Sequence, residues 1–267
     1  MKVDRRPWIH ESASAGVERL TYQSPLDGTL DWALASHPSR AAGPWIEHLH
    51  GHGSTGDQLY TRADIRAMWL LRYRALGFGV LSPNLRGNAW MCPEAAEDLH
   101  LLLNWVRHEY GVKAFYFVSG SMGGTGNLIY AMLHPEDVTA AVALCSVTDI
   151  GGYHEWCCGH PGGVRDEIRL AVESAYKGRP DQVSDRYSGH SVMRHADRLT
   201  MPLFLSHATG DDVIPVEQSR DLCRRLSTAK NVTYVEIEGG DHDSPLHKSG
   251  VLEWLESRVA GDGRFSG

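Results

Sequence analysis

Three kinds of side chain that cooperate in nucleophilic catalysis follow one another along this chain. Ser121 sits in "VSGSMGGTG" (118–126), Asp211 and Asp212 in "TGDDVIP", and His242 in "EGGDHDSP". A serine hydroxyl is a poor nucleophile. It needs a base to take its proton, usually a histidine, and that histidine needs a carboxylate to orient it. Each candidate follows a short β-type run: "AFYFVSG", "PLFLSHA" and "VTYVEI" respectively. In parallel sheets the loops at the carboxyl ends of strands converge on the ligand site. Taken singly, each residue has an ordinary reading: a glycine-serine loop, a turn aspartate, a surface histidine among fifteen. Their order, loop positions and types together favour a serine nucleophile with its acid and base.

The surroundings of Ser121 fit that reading. A sharp strand-to-helix step holds the serine backbone in a strained shape, and strand and helix approach closely only if nearby residues are small. Ser119-Gly120-Ser121-Met122-Gly123 meets this requirement as a G-x-S-x-G elbow with Ser119 in place of the first glycine.

The elements that must position these residues are legible as alternation. "VERLTYQ" (17–23) and "TLDWALAS" (29–36) read as an opening pair of strands, followed by "WIEHLH" (45–50) and "FGVLSP" (78–83). "AFYFVSG" (114–120), "TAAVALC" (139–145), "PLFLSHA" (202–208) and "VTYVEI" (232–237) complete the set. Helical patterns separate them: "DQLYTRADIRAMWLLRYRAL", "PEAAEDLHLLLNWVRHEYG", "GNLIYAMLH" (126–134), "VEQSRDLCRRLS" and a last one beginning near "SPLHKSGVLEWLESRV". Pro93 suits the first turn of the second helix and Gly111 its end. Such alternation predicts an α/β fold, a mostly parallel twisted sheet with helices on both faces. Residues 151–187 break the pattern and read as a small cap inserted into a single domain of residues 1–267; the closing "GDGRFSG" reads as a loose tail.

Composition narrows the partners. The net charge of −7 is spread along the chain with no basic stripe, so neither nucleic acid nor an anionic membrane is the expected partner. The opening segment has no apolar core, and no run approaches the ~20 apolar residues of a membrane span. Five cysteines without regular spacing read as reduced thiols, with a cytoplasmic location expected.

The chain resembles the α/β-hydrolases, and more narrowly the catalytic domains of prolyl-oligopeptidase-like and dienelactone-hydrolase-like esterases. "HGHGSTGD", "PNLRGN", "SGSMGGTGN", "HATGDDVIPVEQS" and "GGDHD" match that family's landmarks in order, from about Val17 to Val259. The resemblance implies Ser121 as nucleophile, Asp211 rather than Asp212 as acid, and His242 as base. It implies an oxyanion hole from the backbone N–H groups of His52 and Met122. It departs at Ser119, where glycine is usual, and at Ala208, where "HG" is usual.

The implied reaction is hydrolysis of a carboxylic ester through an acyl-enzyme, with no cofactor and a small-molecule ester as partner. The length leaves no room for a substrate-selecting propeller, which favours the ester; small-peptide hydrolysis is the alternative. A non-catalytic binding protein on the same fold is the alternative from another class. Trp90, Tyr153 and Trp156 are expected near the pocket mouth, where they either form the core of the cap or stack on a sugar or an aromatic acyl group, as in acetyl or feruloyl esters of carbohydrate. His48, His50 and His52 invite a metal reading, as do His154, Cys157, Cys158 and His160. The Asp-His pair that would follow in a metallohydrolase is missing, and no metal is expected. Oligomeric state is left open.

Overall fold

A computed structural model of the chain describes residues 1–11, 16–39 and 43–261; the expected C-terminal tail, from residue 262 onward, lies outside the described residues. Nine strands form one sheet: β1 (Val3–Pro7), β2 (Val17–Gln23), β3 (Leu30–Ser36), β4 (Trp45–Glu47), β5 (Gly79–Pro83), β6 (Phe115–Gly120), β7 (Ala140–Leu144), β8 (Leu203–Ala208) and β9 (Val232–Ile237). Their order is β1-β2-β3-β5-β4-β6-β7-β8-β9. The pairings from β1 through β3 to β5 are antiparallel, and the rest are parallel.

The helices are α1 (Gln58–Thr61), α2 (Ala63–Ile65), α3 (Leu71–Ala75), α4 (Pro93–Tyr110), α5 (Ser121–Leu133), α6 (Ile150–Gly159), α7 (Val164–Tyr176), α8 (Ser184–Gly189), α9 (Glu217–Arg225), α10 (Ser244–Lys248) and α11 (Val251–Ala260). They cover both faces of the sheet. Leu99 and Leu102 of α4, Leu128 and Ile129 of α5 and Leu222 of α9 pack against Phe115 and Phe117 on one face. Tyr73 of α3 with Trp254 and Leu255 of α11 packs against Ile46, Tyr116 and Val118 on the other. Alternate residues of a strand point to opposite faces, so neighbouring apolar residues of β6 feed both cores. Among the described residues, no helix is long and apolar enough to cross a membrane.

Four elements differ from the sequence reading, each for a local reason. β1 has no apolar face to betray it; its ladder to β2 alone defines it, and all of it beyond Val3 is exposed. The predicted third strand ends at Glu47; the His48 N–H still donates to the Leu81 carbonyl at 2.9 Å, and then a side chain takes over, the Leu49 N–H donating to Ser119 Oγ at 2.8 Å. The long helix expected from residue 57 is broken into α1, α2 and α3, with a wide π-type turn over Arg66–Leu70. Finally, α5 begins at Ser121, five residues before its predicted start. Glycine lowers helix propensity, but here the glycines lie inside the helix because packing forbids anything larger.

Candidate active site

That packing explains the crowd of small residues. Ser121 has φ of 56°, a left-handed conformation in which a non-glycine residue is strained. A Cβ on Gly123 would lie 2.5 Å from the Leu49 carbonyl oxygen and 2.9 Å from the Ser119 Cβ; one on Gly124 would lie 2.2 Å from Ser146 Oγ. Backbone therefore touches backbone where α5 crosses the loop after β4. Gly123→Ala is expected to push that loop away and lower kcat by about 100-fold, the cost of one misplaced oxyanion donor. Gly159→Ala, where nothing lies within 4 Å, is the neutral control. Steady-state kinetics of both variants check this, and equal activities would contradict it.

The loops after β6, β8 and β9 bring the three predicted residues into contact. His242 Nε2 lies 2.9 Å from Ser121 Oγ, and His242 Nδ1 lies 2.7 Å from Asp211 Oδ2. Asp211, not Asp212, faces the ring. The other Asp211 oxygen, Oδ1, accepts the backbone N–H groups of Val213 and Ile214, both at 2.9 Å. Burial pushes the Asp211 carboxyl up, but the hydrogen bonds from His207 and His242 outweigh it and hold the group well below the usual carboxylate range. An ionised Asp211 therefore faces Nδ1, so the ring proton sits there and Nε2 is left to accept from the serine hydroxyl.

The loop after β4 is held from several sides. The Gly51 N–H donates to Gln58 Oε1 at 3.0 Å, and the Gly53 N–H donates to Asn88 Oδ1 at 2.8 Å. Asn88 closes "PNLRGN", so that motif braces the "HGHGS" loop. Among the described residues, the backbone N–H groups of His52 and Met122 have no hydrogen-bond partner. Ser119, the departure from the usual elbow, is the residue whose hydroxyl ties this loop to β6. Burial lowers the pKa of the His52 ring, and Trp90 Nε1–H donates to its Nδ1 at 3.3 Å.

A cavity of about 860 Å³, counting its open mouth, exposes Ser121 and His242 together with Gly51 and His52. Ile65, Trp69 and Leu246 form one apolar wall; Val164, Ile168 and Val213 form another. Trp90, Tyr153 and Trp156, expected at the mouth, do not line it. Trp90 and Tyr153 are 1% and 0% exposed and pack against each other, while Trp156 stacks on Tyr153. They support the site from behind: Trp90 holds His52, and the Tyr153 hydroxyl donates to the Val213 carbonyl at 3.0 Å, beside Asp211. Large aromatic area makes them core material first.

The two histidine groups suggested for metal do not converge. His48 Nδ1 faces the Tyr73 hydroxyl, the His50 ring nitrogens face the carbonyls of Gly51 and Asn84, and His52 takes the Trp90 proton. In α6, His154 Nε2 pairs with Glu173 at 2.8 Å and His160 Nδ1 faces the Trp156 carbonyl. All five cysteines are free.

Sequence reasoning missed Cys145, Trp69 and His207. Cys145 follows β7 in a left-handed conformation and lines the same cavity as Ser121. Trp69 was hidden in a helical pattern whose π-type turn could not be foreseen. His207 stood in plain view inside "PLFLSHA", the one titratable side chain of that run.

The strand order and Ser121 on a strand-to-helix elbow define an α/β-hydrolase fold, and the α/β-hydrolase fold family matches residues 49–157. The prolyl oligopeptidase family matches residues 115–260, over half of the chain, and the chain belongs to that family. No curated protein matches the sequence. Among solved structures, a cold-adapted esterase from an Arctic intertidal metagenomic library is similar at 14% identity, with TM-score 0.62 over 97% of this chain and 99% of that one. The fluorophosphonate-binding serine hydrolase F of Staphylococcus aureus is similar at 16% identity, with TM-score 0.65 over 91% and 98%. A puromycin-hydrolyzing peptidase of Mycobacterium tuberculosis reaches TM-score 0.69 at 18% identity, over 94% of this chain and 40% of that one. At such identities these likenesses establish the shared fold.

Proposed function

We propose that this protein is a serine hydrolase that cleaves carboxylic esters through an acyl-enzyme. The observation that carries the reading is the unbroken chain from Ser121 Oγ through His242 to a buried, ionised Asp211. His242 takes the Ser121 proton as the hydroxyl attacks the ester carbonyl, and the N–H groups of His52 and Met122 receive the oxyanion. His242 then returns the proton to the leaving alkoxide. Water, activated by the same ring, releases the acid.

The helical segment α6–α8 acts as a cap, its Val164 and Ile168 closing one side of the cavity. Two apolar walls favour an ester with an apolar acyl or alcohol group. The aromatic residues once expected to stack on a sugar or feruloyl ring lie outside the cavity lining and lend those substrates no support.

The prolyl oligopeptidase match favours a second reading, hydrolysis of small peptides at the same serine. A panel of p-nitrophenyl esters and aminoacyl p-nitroanilides separates the two. We expect ester turnover with a kcat/KM well above that of every anilide. Anilide cleavage at ester-like rates would favour the peptidase, and inertness toward both would remove hydrolysis.

A further inference from the structure

The carboxylate of Asp211 has a second imidazole partner. His207 lies in β8 with its ring fully buried, and its Nε2 is 2.9 Å from the Ile214 carbonyl oxygen and 3.1 Å from Asp211 Oδ2. A carbonyl only accepts, so Nε2 carries a proton; its hydrogen bond goes to that carbonyl, and the same N–H lies close against the Asp211 oxygen that also receives His242. On the far side, His207 Nδ1 lies 2.8 Å from the hydroxyl of Ser219, a residue of α9 that is 1% exposed. Among the described residues, no other acceptor is shown for that hydroxyl, so Ser219 donates to Nδ1 and fixes the neutral Nε2–H tautomer.

We infer that His207, locked by Ser219, is a positioning residue that holds Asp211 and moderates how strongly its Oδ2 binds the His242 ring. The inference rests on the proposed roles of Ser121, His242 and Asp211. Its physical content is a shared acceptor. With Oδ1 saturated by Val213 and Ile214, the orientation of the carboxylate about its Cβ–Cγ bond is set by what meets Oδ2. A second donor there also withdraws negative charge from the bond to His242. Removing that donor leaves Oδ2 more negative, so it holds the protonated His242 ring more tightly. The neutral ring, which is the form that accepts the serine proton, is then populated only at higher pH.

Other titratable groups face this pair and stay in place in the variants below. Cys145 after β7 and Tyr153 on α6 both feel the Asp211 charge. Asp243 follows His242 in sequence and also lines the cavity. Glu236 on β9 feels His207 and is paired with Arg220 of α9 at 2.7 Å.

The test compares His207→Leu, His207→Gln and Ser219→Ala with the parent. Two readouts are used: the pH dependence of kcat and KM on an activated ester, and NMR titration of the His242 ring signals. For His207→Leu we expect kcat to fall about tenfold, the scale of a lost outer partner, with KM near the parent value. The acidic limb of kcat/KM and the His242 signals should move to higher pH by roughly half to one pH unit. His207→Gln, which restores an N–H donor, should return both toward the parent, and Ser219→Ala should shift them in the same direction by less.

A His207→Leu profile that overlays the parent, accompanied only by a lower Tm, would overturn the inference. So would identical profiles for the leucine and glutamine variants. If His207→Leu does not fold, Ser219→Ala decides: no displacement of its His242 signals overturns the inference. The NMR arm needs no substrate. A parent that hydrolyses no ester would therefore sink the proposed function, while unmoved His242 signals in the variants would separately sink the role of His207.

Discussion

His242→Ala is expected to lower kcat for ester hydrolysis by about 10⁶-fold, with KM little changed. Among the described residues, the His242 ring is the hydrogen-bond partner of the Ser121 hydroxyl, with Nε2 2.9 Å from Oγ. Ser121→Ala should cost about as much, and the double variant no more than either single one, because the two groups act as a unit. Asp211→Asn should cost about 10⁴-fold. An asparagine side chain at this place presents either a competing donor or a neutral acceptor to Nδ1, so the tautomer that leaves Nε2 free is no longer favoured. The residual rate would come from the oxyanion donors and the pocket. Circular dichroism controls for folding, and a loss under tenfold in His242→Ala would contradict the assigned roles.

Glu47 carries the second large effect, on stability. It ends β4, is 0% exposed, and neither of its carboxylate oxygens has a hydrogen-bond partner among the described residues. Burial pushes its carboxyl well above the ordinary value of 4.5. The folded chain thus keeps a proton that the unfolded chain releases above that value. Unfolding then releases a proton, so stability falls as pH rises, by about 1.4 kcal/mol per pH unit until the folded group itself ionises.

Glu47→Gln has no such proton. Denaturant unfolding between about pH 5 and about pH 8 should show the parent losing stability more steeply than the variant by that slope. Parallel curves would contradict this. The consequence reaches function. Raising the pH loosens the strand that leads into the loop beside Ser121.

Much of this site was legible because its logic is sequential. A strand, a turn and a reactive residue recur in the order serine, acid, base, and the periodicity of each strand is readable without knowing its neighbours. Trp90 and Tyr153 stay open in the sequence between cap core and pocket mouth, because an aromatic residue near the active site in sequence carries no sign of which way it faces; the structure makes them core. Trp90 turned inward through a left-handed backbone (φ 47°) that no propensity announces. His207 was overlooked for the converse reason: a histidine inside an apolar strand looks like core, and its partners Asp211 and Ser219 come from two different loops and helices. Nothing in "WIEHLH" marks Glu47 as buried; the ladder places it between β5 and β6.

The central claim is that Ser121 is a nucleophile activated by His242, and fluorophosphonate labelling followed by peptide mapping tests it most directly. Rapid, single-site labelling of Ser121 is expected in the parent, and its loss in a folded His242→Ala variant. Labelling elsewhere, or labelling of Ser121 that survives removal of His242, would contradict it.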